Sequence, residues 1–239
     1  YAVLSMKTNK SFPWGALTGI RPTIVAREET SSSELTRKYF VREDKAELAM
    51  QTAKAEDEVL ALQKQDALNI YVGVPFCPSR CEYCSFVSQD ITKHLKSLGE
   101  YALALKKEIR EISKSINREV DTVYFGGGTP TVFEDKEFES ILECFFEKIK
   151  LTGNAEITVE AGRPDTITEY KLKAMKRFGV RRICINPQTM CDETLSKLNR
   201  KHTCADTIEC YKMARKLGFE VINMDLIAGL KYENADELI

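Results

Sequence analysis

Three cysteines fall within eight positions in Pro75-Phe76-Cys77-Pro78-Ser79-Arg80-Cys81-Glu82-Tyr83-Cys84, spaced C-x3-C-x2-C. A loop with that spacing can turn three thiolates toward one region, and in a reducing compartment clustered thiolates are metal ligands more often than disulfide partners. Zinc normally asks for a fourth Cys or His to close its tetrahedron. None lies close, since His94 comes ten residues after Cys84 and the next cysteine is Cys144. A [4Fe–4S] cluster is usually held by four thiolates; with three, one iron keeps an open position that a small molecule can occupy. Zinc and three unrelated thiols stand as the alternatives.

Other chemistry-bearing residues recur along the chain. Tyr124-Phe125-Gly126-Gly127-Gly128-Thr129-Pro130-Thr131 removes three consecutive side chains, so backbone N–H and C=O groups can approach a ligand. It is not a phosphate-binding Walker loop, because no Gly-Lys-Ser/Thr follows. Glu160 ends an apolar stretch and needs a partner, either a ligand or a salt bridge to Arg163 or Arg182. Gln188 suits hydroxyls or a base edge. Arg200 follows a short helical run, and Asp225 sits within Asn223-Met224-Asp225-Leu226-Ile227, again an acid among apolar neighbours. Cys144, Cys184, Cys191, Cys204 and Cys210 lack a partner pattern and read as core or surface thiols.

The elements that must position these residues alternate strand and helix from residue 69 onward. Strands are expected at Asn69–Val74, Thr122–Phe125, Glu156–Glu160, Arg182–Asn186 and Val221–Ile227, short and apolar as in a buried parallel sheet. Between them, Leu98, Tyr101, Leu105, Ile109, Ile112 and Ile116 share one helical face. Further helices are expected over about 136–149, 168–178 and 203–217, the last two closed by Gly179 and Gly218. Successive βα units build a parallel sheet, doubly wound or closed into a barrel. Both place chemistry past the carboxyl ends of the strands, where the unusual residues fall. Residues 1–68 read as a mostly helical segment, a preamble or the remnant of an upstream domain. The chain opens at Tyr1 and stops at Ile239 inside a polar, helix-like run from Tyr232, and reads as a piece of a longer protein.

The 239 residues are 43% hydrophobic, a globular composition. Lys and Arg number 35 against 36 for Asp and Glu, a net charge of −1, which gives no electrostatic reason for a nucleic-acid partner. No apolar run approaches the ~18 residues of a membrane helix, so a soluble protein without membrane insertion is expected. Two histidines in the chain disfavour His-rich metal sites and Ser–His or Cys–His catalysis. The basic run Lys171–Arg182 reads as a solvated helix face plus a strand entry.

The C-x3-C-x2-C motif with Tyr83 before its last cysteine resembles that of the radical S-adenosylmethionine (SAM) enzymes. Within them, Tyr71, the FGGGTPT stretch, Glu160, Gln188, Arg200 and the Asp225-Leu-Ile-x-Gly-Leu run resemble the oxygen-independent coproporphyrinogen III oxidases, also called coproporphyrinogen dehydrogenases, over roughly residues 69–230. The PWGALTGIRPT opening and the EAGRPD and INPQTM stretches look like the HemZ branch.

The resemblance implies an α/β fold, a partial (βα)6 barrel with five strands present and the sixth cut off, residues 69–239 forming it after the helical segment. It implies Cys77, Cys81 and Cys84 as ligands of a [4Fe–4S] cluster, whose open iron is chelated by the amino and carboxylate groups of SAM. It implies Tyr71, Tyr83, Gly127, Gly128, Thr129, Glu160, Gln188, Arg200 and Asp225 as SAM contacts, with two SAM molecules in one barrel. Gly127 and Gly128 would serve the methionine amino group. The implied reaction is anaerobic haem biosynthesis in the cytoplasm: a 5′-deoxyadenosyl radical takes a hydrogen from the propionate β-carbon. Loss of CO2 leaves a vinyl, twice per coproporphyrinogen III, giving protoporphyrinogen IX. An electron donor such as a flavodoxin or ferredoxin would supply the cluster. One departure is Phe86, where the best-studied branch carries a fourth cysteine; the same Cys-x-Phe ending occurs in related haem chaperones.

Overall fold

The computed structural model describes residues 1–64 and 66–233, in two compact units, Tyr1–Ala67 and Leu68–Ile239. The first unit holds helices α1 (Ala2–Thr8), α2 (Pro22–Glu28), α3 (Ser32–Tyr39) and α4 (Glu43–Leu60). Its core is small, Leu17, Leu35 and Val41 closing against an alanine face of α4 made by Ala46, Ala49 and Ala53. Arg27 on α2 ties Glu56 and Asp57 on α4, both at 2.6 Å.

The second unit carries strands β1 (Asn69–Val74), β2 (Phe76–Cys77), β3 (Gln89–Asp90), β4 (Val120–Gly127), β5 (Leu151–Gly162), β6 (Arg182–Ile185) and β7 (Val221–Asn223). Between them run α5 (Ile91–Ser113), α6 (Asp135–Lys148), α7 (Glu169–Arg177), α8 (Asp192–Lys197) and α9 (Cys204–Lys216). The main sheet is parallel in the order β1-β4-β5-β6-β7, each strand laid beside its predecessor. That unbroken progression is the wall of a partial barrel, as expected. Among the described residues no helix is long and apolar enough to cross a membrane.

Helix ends follow their local chemistry. Thr203 and Asp206 form a reciprocal capping box at the start of α9. Gly179 and Gly218 take left-handed φ of 82° and 76° just past α7 and α9, so that Val180 and Phe219 bond back to Met175 and Ala214. Of the expected face, Leu98, Leu105 and Ile109 are buried on α5 and Tyr101 and Ile116 pack partly against the core, while Ile112 is exposed.

Three expectations are corrected. Strand β5 begins at Leu151, earlier than expected, since Leu151 pairs with Val120 at the start of β4. Strand β7 ends at Asn223, short of Ile227, and beyond it, among the described residues, a single bridge joins Leu226 to Gln188. The two-residue ladder of β2 with β3, which brackets the cysteine loop, was not foreseen, because two residues carry no periodicity. Most of the Tyr232–Ile239 run lies outside the described residues.

The core packs the helices onto the outer sheet face. Leu172 on α7 is fully buried within it. Leu172→Ala should cost about 2–5 kcal/mol, read as a lower urea midpoint with unchanged m-value.

Candidate functional site

The strand ends surround a cavity of about 240 Å3, and Cys77, Cys81 and Cys84 all line it. All three thiols are free. A four-iron cluster offers each thiolate its own iron, so three thiols on the lining of one cavity fit it.

The loop that carries them is tied down at both ends. Gly128 N–H donates to Val74 O and Thr129 N–H to Phe76 O, each at 2.8 Å, while Thr129 Oγ1 reaches Cys77 Sγ at 3.5 Å. The Gly128 amide is thus used on β1 and the Thr129 amide on the cysteine strand β2, which leaves the glycine carbonyls as the groups that could serve a ligand's amine. On the far side Ser79 Oγ donates to Asn199 O at 2.6 Å and Asn199 Nδ2 to Arg80 O at 2.9 Å. Glu82 N–H adds a bond to Leu198 O at 3.3 Å.

Gly127, Gly128 and Thr129 line the cavity, as do Tyr83, Glu160, Gln188, Arg200 and Asp225. Tyr71 does not: it stands 62% exposed on the neighbouring strand, stacked on Tyr124 with ring centroids 5.8 Å apart. The Tyr124 hydroxyl donates to Glu160 Oε1 at 2.6 Å. Burial, and then the Glu160 carboxylate, push that phenol well above its usual range, so it stays a donor. Glu160 thus has neither of the salt bridges considered for it, since Arg163 pairs with Asp165 and Arg182 with Glu156. Asp225 is exposed beyond the end of β7, accepting from Asn223 Nδ2 at 2.8 Å; it is not an acid buried in a strand. Gln188 adopts φ 70°, the left-handed region uncommon for a side-chain-bearing residue. That turn lets its N–H donate to Asp225 O and its carbonyl accept from Ile227, joining two strand ends.

Arg200 is 6% exposed. Its Nη2 donates to Asn186 O at 2.6 Å and its Nη1 to the Tyr83 hydroxyl at 3.1 Å, with Cys81 Sγ at 3.7 Å. Burial pushes the Tyr83 phenol up to about 12, against the opposing pull of Arg200. Among the described residues Arg200 Nε and Asn186 Oδ1 are buried without hydrogen-bond partners. An uncompensated buried cation with an orphan donor and an orphan acceptor is costly unless a ligand completes it. A carboxylate next to an N–H donor does so, and the amino-acid end of SAM carries both. The residues present fit the cluster and this cofactor.

Sequence reasoning missed Asn186 and Gly162 in the lining, noted Phe86 only as a departure from the family's cysteine pattern, and weighed Arg163 only as a partner for Glu160. The Arg163-Pro164-Asp165 spacing was the available signal, because an acid two residues on can pair with the same arginine. Burial alone would raise the Asp165 carboxyl, but His202 and Arg163 outweigh it and hold the group well below the carboxylate range. A depressed folded value means its stabilisation is present above the unfolded value of about 4 and lost as pH falls through the folded one. Asp165→Asn should therefore flatten the loss of stability between about pH 4 and pH 2, measured as urea midpoints against pH.

A parallel βα barrel wall whose strand ends gather three thiols, a glycine turn and a buried arginine is the architecture of a barrel protein with its site at the carboxyl ends of the strands. The chain belongs to the radical SAM superfamily, whose sequence profile matches residues 71–239. It is 37% identical to the oxygen-independent coproporphyrinogen-III oxidase-like protein HemZ of Bacillus subtilis, over 98% of this chain and 50% of that protein. It is 35% identical to the heme chaperone HemW of the same organism, over 67% of this chain and 42% of that one. Among solved structures, the coproporphyrinogen III oxidase HemN of Escherichia coli superposes with a TM-score of 0.66 at 26% identity, covering 77% of this chain and 42% of HemN. The chain spans about half the length of these relatives.

Proposed function

We propose that this chain is the catalytic barrel of an oxygen-independent coproporphyrinogen III oxidase of the HemZ-like branch, working in anaerobic haem biosynthesis in the cytoplasm. Its substrate is coproporphyrinogen III, two propionates of which are oxidatively decarboxylated to vinyls. The observation that carries the reading is the cavity itself, three thiols lining it beside a buried arginine whose Nε has no partner among the described residues. Cys77, Cys81 and Cys84 would hold a [4Fe–4S] cluster, which when bound and reduced supplies the electron that splits SAM to a 5′-deoxyadenosyl radical.

The chain's own residues bind, orient and exclude. Arg200 and Asn186 hold the amino-acid end of SAM, and Tyr83 stays protonated beside Arg200 as a neutral wall. Tyr124 fixes Glu160 so that its second oxygen faces the cofactor's hydroxyls or amine. Gln188 and Asp225 close the far side. The full proposal includes a second SAM molecule and an electron donor such as a flavodoxin or ferredoxin, with no nucleic-acid partner.

A second reading is a haem chaperone, favoured by Phe86 in the cavity lining and by the similarity to the heme chaperone HemW. The test is anaerobic reconstitution of the full-length protein with iron and sulfide, followed by dithionite-dependent 5′-deoxyadenosine formation. About four irons per chain, cleavage lost in Cys84→Ala, and vinyl product from coproporphyrinogen support the oxidase. Stoichiometric haem binding and transfer without vinyl product would establish the chaperone instead.

A further inference from the structure

Arg163 is 4% exposed, and it is not among the residues to which the family resemblance assigns a role. One edge of its guanidinium grips Asp165, Nε to Oδ1 at 3.0 Å and Nη2 to Oδ2 at 3.1 Å. The other edge faces the cysteine loop. Nη2 donates to Ser79 Oγ at 3.1 Å, while Nη1 reaches both Ser79 O and Cys81 Sγ at 3.5 Å. Behind the pair, Asp165 has His202 Nδ1 at 3.8 Å, an imidazole whose side chain is wholly buried.

Such a placement needs a reason. Arg163 arrives here because β5 is irregular at its end: between Glu160, opposite Cys184, and Gly162, opposite Ile185, the register slips by one residue. Gly162 then turns with φ 60°. The chain is reversed just where Arg163 can reach back across the cavity mouth to the loop, rather than outward to solvent. Burying an arginine is costly unless each donor is used; here both nitrogens on the loop side are engaged, one of them on a sulfur.

We propose that Arg163 is a positioning residue for the cluster, its Nη1–H donating to the Cys81 thiolate so as to fix that ligand and raise the cluster's reduction potential. The inference rests on the reading that this cavity holds the cluster. Hydrogen bonds to the ligand sulfurs and net local charge both set iron–sulfur potentials. A donor and a positive charge beside Cys81 favour the form that has taken up one electron, with no atom transferred. Asp165 opposes this: its negative charge tempers the arginine while holding its fork in register. The two partners of one ion pair therefore push the potential in opposite directions.

That opposition supplies the test. The full-length protein is reconstituted anaerobically, its iron is counted, and the cluster is titrated with dithionite under EPR detection without SAM. R163Q should lower the midpoint potential by about tenfold in the reduction equilibrium, about 59 mV for one electron. D165N should raise it, and R163K, which keeps charge without the fork, should recover part of the R163Q shift. Two equal potentials, or shifts of the same sign in R163Q and D165N, would overturn the assignment, because a merely structural role loosens the site the same way in both. Should R163Q fail to take up iron, the sign of the D165N shift and the position of R163K decide. A wild-type protein that takes up no cluster fails the cluster reading itself, and the inference with it.

Discussion

Alanine in place of Gly128 is expected to leave a folded protein that cannot assemble its cluster. A methyl group there would stand 2.5 Å from Phe76 O and 2.9 Å from Cys77 Sγ. The carbonyl cannot yield easily, because it already accepts the Thr129 N–H at 2.8 Å. Relief must come from moving β2, and β2 carries Cys77. Overpacking of this kind costs about 1–3 kcal/mol of stability, which a 239-residue chain can absorb. Ligand geometry is less forgiving, and displaced metal-site support costs about 10–100-fold in metal affinity. Iron and sulfide per chain after anaerobic reconstitution, beside circular dichroism, give the readout. Gly153→Ala serves as control, since a methyl there meets nothing within 4 Å. Wild-type iron content in Gly128→Ala would refute the steric argument.

Arg200→Met is expected to weaken SAM binding by two to three orders of magnitude while sparing the cluster. Removing one partner of a buried, hydrogen-bonded charge pair costs about 2–5 kcal/mol, and each 1.4 kcal/mol is about tenfold. Methionine fills part of the same volume, so the loss is of charge and donors rather than packing. It also frees Asn186 O, which accepts from Arg200 at 2.6 Å. Isothermal titration with SAM on the reconstituted, oxidised protein measures the effect. Arg200→Lys should fall between the two, because an ammonium keeps the charge but cannot serve Asn186, Tyr83 and a carboxylate together. Equal affinity in all three proteins would remove Arg200 from the cofactor site.

The βα order and the cavity's principal residues were legible because both rest on local patterns. Strand β1 falls at Asn69–Val74 as the apolar run suggested, and the cysteine spacing announces itself without any fold. What stayed hidden is long-range. Glu160 finds its partner in Tyr124, 36 residues away on the neighbouring strand, and no local spacing could favour that over a nearer arginine. Asp225 looked buried because its neighbours are apolar, yet the chain leaves the sheet after Asn223 and exposes the acid at the edge of the cavity. Tyr71 sits on the strand next to the site but outside the lining, a distinction of side-chain direction that a motif cannot encode. Arg163 was visible and misjudged, since its role depends on a register slip in β5 that has no sequence periodicity.

The strap between the cysteine loop and Asn199 has a consequence for the order of events at the ribosome. Asn199 binds Arg80 across 119 positions of chain. At about 5–20 residues per second, Cys77, Cys81 and Cys84 leave the tunnel roughly 6–24 s before the segment that fixes their loop exists. During that interval the loop has its ties to Gly128, Thr129 and Arg163 within reach but lacks the strap to Asn199. Iron delivered to the nascent chain meets ligands with no fixed geometry, whereas iron delivered after release meets a finished cradle.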